Sequence, residues 1–123
     1  MAVTSGRPFA LMTSAARTAT NNSGDKTNNF AKGVRVTIDV TAASATPSVV
    51  FTIQGKNQQG DYYTLLASAA ITGVGNTELI VHPQITAAAN TVAKNALGNV
   101  WRLLATHADA DSITYSAYAE YLK

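Results

Sequence analysis

The chain has 123 residues, the usual size of one domain, and a formal net charge of only +2. Hydrophobic residues make up 46% of it, but 22 of these are alanine, so bulky apolar side chains are scarce and one sheet laid on another suits the supply better than a deep pocket. The absence of cysteine excludes disulfides, thiolate zinc sites and a cysteine nucleophile, and no window approaches the ~18 consecutive apolar residues of a membrane span.

Residues 1–29 are rich in Ser, Thr, Asn and Ala, with Gly6, Pro8 and Gly24 as breakers. Such a composition orders itself poorly, so the segment is expected to be an extended N-terminal arm ahead of a β-sandwich domain at 30–123. Met1 to Arg17 lacks the basic start and apolar run of a signal peptide. Phe9, Leu11 and Met12 form a short apolar cluster, either a plug for another subunit or a first edge strand. Charge is uneven as well. Residues 1–35 hold Arg7, Arg17, Lys26, Lys32 and Arg35 against Asp25 alone, a net +4, whereas the remainder carries a net −2. Scattered bases make no dense phosphate-binding stripe, so an acidic protein surface is a better partner for this segment than nucleic acid.

From Gly33 the pattern becomes strict alternation. Val34, Val36, Ile38 and Val40 face one way and Arg35, Thr37 and Asp39 the other, the signature of a half-buried strand. Val49, Phe51 and Ile53 repeat it after a Thr46-Pro47-Ser48 turn. Asn57 to Asp61 reads as a hairpin loop, with Tyr62 to Ala67 returning as the partner strand. Thr77 to His82 is another strand, stopped by Pro83. In Gln84 to Leu97, Ile85, Ala88 or Ala89, Val92 and Ala96 stand at helical spacing, with Thr86 as a cap and Gly98 as a stop, predicting a helical turn or irregular crossover. Val100 to His107 and Ser112 to Leu122 complete six to seven strands. The expected fold is therefore all-β, a single antiparallel β-sandwich.

Chemistry-bearing constellations are few. No Gly-x-Ser-x-Gly elbow places a serine nucleophile. His82 and His107 lie at strand ends, with no partner implied by spacing. Gly73-Val74-Gly75 has Glu78 where a dinucleotide fingerprint needs its third glycine, and it leads into a strand, not a helix. Asp109-Ala110-Asp111 begins like a calcium loop, but Thr114 and Glu120 occupy the positions of the glycine and the closing glutamate. No enzyme activity, cofactor or metal is expected. Trp101 and Tyr115 alternate in phase with the apolar faces of their strands. Tyr118 is in the opposite phase to Tyr115 and Tyr121, which makes it the best candidate for an exposed contact.

Three stretches carry a resemblance: TSAARTATNNSGDKTN (Thr13 to Asn28), KGVRVTIDVTAAS with FTIQGKNQQGDYYTLLASAAIT (Lys32 to Thr72), and WRLLATHADADSITYS (Trp101 to Ser116). Together they resemble small structural proteins of tailed bacteriophages and prophages. The resemblance implies an Ig-like or jelly-roll sandwich in the virion, made in the bacterial host cytoplasm and serving as a capsid decoration or cement protein. Its implied partners are the major capsid protein and copies of itself on the head surface. A tail or fibre-associated protein, or a sugar-binding module, is the alternative. The expected contact residues are Arg7 and Arg17 for steering, Phe9, Leu11 and Met12 as apolar anchors, and Tyr118.

Overall fold

The structure, a computed structural model, describes residues 7–123. In chain order its strands are β1 (Phe9–Arg17), β2 (Asn21–Asn22), β3 (Lys26–Thr27), β4 (Gly33–Ala43), β5 (Val49–Lys56), β6 (Tyr62–Ala67), β7 (Gly75–Val81), β8 (Val92–Ala93), β9 (Val100–His107) and β10 (Ile113–Leu122). They form two five-stranded sheets, one ordered β1-β10-β4-β7-β8, the other β2-β9-β5-β6 with β3 also on β9. Every pairing is antiparallel except the two-residue one between β7 and β8.

The alternating residues define both inner faces. Val34, Val36, Ile38, Val40, Val49, Phe51, Ile53, Trp101, Leu103, Ile113 and Tyr115 are all at most 1% exposed, as their period requires. Phe51 meets Tyr115 edge-on, ring centroids 4.9 Å apart, and Trp101 meets Tyr121 the same way at 6.0 Å. β10 also places Ala117 and Ala119 inward, so alanine contributes to the core of this alanine-rich chain.

The pairings nest like one long folded hairpin. β1 lies on β10, β2 and β3 on β9, β4 on β7, and β5 on β6. The loops consequently gather at two poles. One holds the β3–β4 loop, the β5–β6 hairpin, the β7–β9 crossover and the end of β10; the other holds the β1–β2, β4–β5, β6–β7 and β9–β10 loops. The eleven residues of β4 run between them, a span of about 35 Å.

Two expectations change, the strand count and the arm, and of the two alternatives for residues 84–97 the structure takes the irregular crossover. Ten strands replace six or seven, the additions being the two-residue strands β2, β3 and β8. No helix forms among the described residues. Residues 84–99 make an irregular crossover, pinned by Ile80 N–H to Thr91 O and His82 N–H to Ala93 O. Hydrogen bonds to β7 outcompete a helical spacing in which alanine fills half of the apolar positions. Finally, residues 9–29 are not a free arm. β1 is hydrogen-bonded along β10, with two register shifts that leave both Leu11 and Met12 buried in the chain's own core.

Candidate partner-binding surface

The outer face of the first sheet is built from the residues that alternate with the core. Ala10, Tyr118, Thr37 and Glu78 lie in one cross-strand row, and Glu120, Arg35 and Ile80 in the next. Tyr118 is 44% exposed, as its phase predicts. Beside it, Arg35 bridges two carboxylates, with Nε 3.3 Å from Glu78 and NH1 3.1 Å from Glu120. A narrow cleft of about 60 Å³ runs between Pro8, Arg35, Thr37 and Tyr118. The result is a rigid aromatic side chain framed by paired charges on three hydrogen-bonded strands.

The other predicted contact residues do not join it. Arg7 is exposed ahead of β1, and residues 1–6 lie outside the described part of the chain. Phe9 is half-buried, its ring 5.2 Å from that of Tyr121. Leu11 and Met12, only 7% and 5% exposed, are core residues, so they do not serve as surface anchors. Arg17 sits at the opposite pole, donating to Thr13 O (2.6 Å), Ala15 O (3.2 Å) and Tyr115 O (2.7 Å), with its guanidinium 4.6 Å from the Tyr115 ring centre. It closes the end of β1 onto β10, a structural duty the sequence did not suggest.

The second sheet carries a polar network on its outer face. The Arg102 guanidinium stacks 3.6 Å from the Tyr62 ring centre and its Nε donates to Gln54 Oε1 at 2.8 Å. The Tyr62 hydroxyl donates to Asp25 at 2.6 Å, and Lys56 Nζ donates to the same carboxylate at 3.0 Å. The Tyr62 hydroxyl first, then Lys56, hold the Asp25 carboxyl below its usual range, and Asp25 in turn raises Lys56. This network ties the loop before β3 to the β5–β6 hairpin.

The histidines stand at different poles. His82 Nε2 lies 2.9 Å from Lys123 O. His107 Nε2 lies 3.0 Å from the Tyr115 hydroxyl, which also accepts from Asn21 Nδ2 at 2.8 Å. Both contacts are satisfied when Tyr115 donates to a neutral His107. Burial lowers the pKa of His107 and raises that of Tyr115 above its usual 10. Asp111 accepts from Thr46 N–H at 3.1 Å and Thr46 Oγ1 at 3.3 Å, and so anchors the β4–β5 loop.

Sequence reasoning missed two neighbouring residues. Phe30 is 75% exposed, the most exposed of the large apolar side chains among the described residues. Asn28, two positions earlier, is 6% exposed and ties together the loop that displays it. A lone aromatic residue in a polar stretch, outside any alternation, was the available signal for Phe30. Compared with known protein families and with curated proteins, the sequence matches none.

Proposed function

We propose that this chain is a structural protein of a tailed-bacteriophage virion, a capsid decoration or cement protein that binds the major capsid lattice beside copies of itself and stabilises the head. The observation that carries the reading is the wiring. With β2 and β3 taken as one interrupted strand and β8 set aside, one sheet runs first, eighth, third, sixth, and the other second, seventh, fourth, fifth. That order favours a jelly roll over an Ig-like sandwich, and jelly rolls recur among viral capsid domains and lectins. Fold analogy supports a class more than a role; the role rests on the sequence blocks that resemble phage structural proteins. Tyr118 and the charged residues framing it are the face we assign to the lattice, since rigid aromatics dominate most interfaces.

The test is co-sedimentation of the purified protein with expanded capsids lacking it, and with isolated tails. Saturable capsid binding, weakened at least tenfold by Tyr118→Ala, is the expected outcome. Binding to tails alone would move the protein to a tail or fibre role. Retention on immobilised host glycans without capsid binding would replace the reading with a sugar-binding one.

A further inference from the structure

Phe30 is held out on a loop that has little freedom. Asn28 Nδ2 donates to Ala31 O at 2.8 Å and reaches Leu97 O and Gly98 O at 3.3 and 3.2 Å, while its Oδ1 accepts from Ala31 N–H at 2.9 Å. Lys32 N–H donates to Leu122 O at 3.0 Å, and Leu97 N–H to Lys32 O at 2.9 Å. An apolar ring displayed on a preorganised loop binds without first being ordered, which makes it an effective anchor. Its pole also collects cations that are distant in sequence. Lys26, Lys32, Lys94 and Lys123 converge there through the β3–β9, β4–β10 and β7–β8 pairings; none has an ion-pair partner among the described residues, and together they outweigh the carboxylate of Asp61 in the β5–β6 hairpin at the same pole.

The opposite pole complements this one. There the β4–β10 ladder slips between Thr114 and Tyr115, leaving a depression of about 190 Å³ lined by Ala42, Ala43, Ser44, Ser112 and Thr114. All five side chains are small, so nothing of their own fills it. Ala42 and Ala43 offer methyl groups to an incoming ring, beside the hydroxyls of Ser44, Ser112 and Thr114. The carboxylates of Asp39, Asp109 and Asp111 belong to this pole, and its cation, Arg17, is spent on the carbonyls of Thr13, Ala15 and Tyr115.

We propose that the chain self-associates head to tail, with Phe30 of one copy seated in the depression lined by Ala42, Ala43, Ser44, Ser112 and Thr114 of the next. A two-fold contact through either pole would set lysine against lysine or aspartate against aspartate. The head-to-tail contact pairs opposite charges around an apolar plug. It is heterologous, leaving a free knob at one end and a free hole at the other, so it closes into a ring or continues as a row of subunits. The inference rests on the part of the functional reading in which copies contact one another. Capsids take no part in its test, so either claim can fail without the other.

The experiment is sedimentation velocity of the purified full chain over a concentration series. Growth into larger species, weakened by added salt, is expected for the wild type. Phe30→Ala, at a side chain 75% exposed, should leave the fold intact and weaken self-association at least tenfold. Ala42→Phe should block the hole to a similar degree; if it does not fold, Ser112→Trp serves in its place. Mixing the two variants is decisive. One retains a knob and the other a hole, so together they should form a heterodimer that neither forms alone. A wild type that stays monomeric throughout, a Phe30→Ala variant that assembles normally, or a mixture no more associated than its components overturns the proposal.

Discussion

Replacing Asn28 by alanine should destabilise the protein far more than its position in a polar loop suggests. Of the two Nδ2 hydrogens, one goes to Ala31 O and the other is shared between Leu97 O and Gly98 O; Oδ1 takes Ala31 N–H. Truncation leaves the Ala31 N–H and carbonyl without partners in a buried site and weakens the hold on the crossover. At ~1–3 kcal/mol for each buried group left unsatisfied, and with some relief from entering water, the cost is roughly 2–4 kcal/mol. That corresponds to a fall in Tm of roughly 10 °C for a domain of this size. Urea and thermal denaturation followed by circular dichroism would measure it. Asn28→Asp sharpens the test. It keeps an acceptor for Ala31 N–H but turns a carboxylate toward three carbonyl oxygens, which raises its folded pKa above the unfolded one. Its penalty should therefore be complete at neutral pH and diminish as pH falls through that raised value, until the protonated carboxyl donates to one carbonyl. A loss below about 0.5 kcal/mol for Asn28→Ala, or an Asn28→Asp protein as stable as wild type at pH 7, would refute the role assigned to this side chain.

Two further outcomes follow from the packing and the electrostatics. Leu11→Ala should cost roughly 2–5 kcal/mol, and deleting residues 1–12 should abolish cooperative unfolding by stripping the start of β1 from the β10 edge; a truncated protein that melts like wild type would restore the free-arm reading. His107 has a folded pKa below its ordinary 6.5 because burial disfavours its charged form, so the unfolded chain takes up the proton first. Stability should be complete above that ordinary value and decline as pH falls through it and on to the depressed folded value. His107→Gln should flatten this slope in urea titrations between pH 7.5 and 5, and an unchanged slope would assign it to another group.

The inner faces of both sheets were legible in the sequence because side-chain alternation along a strand is a local property. Val34 through Val40, Val49 through Ile53, and the in-phase Trp101 and Tyr115 needed no knowledge of their neighbours to be placed inward. Tyr118 was legible for the same reason, as the out-of-phase member of its strand. The fate of residues 9–29 was not. Their composition argues against order, but β10 and β9 present open hydrogen-bonding edges, and it is these distant strands that stabilise β1, β2 and β3. Charge followed the same logic. Arg17 and Lys32 both belong to the basic leading segment, yet antiparallel pairing sends them to opposite poles and brings Lys94 and Lys123 to the pole of the second. The buried duty of Asn28 and the exposure of Phe30 likewise depend on carbonyls contributed from residues 97 and 98. Local periodicity sets which way a side chain points, whereas hydrogen-bond satisfaction and charge proximity depend on what the fold brings alongside, and only the tertiary structure decides that.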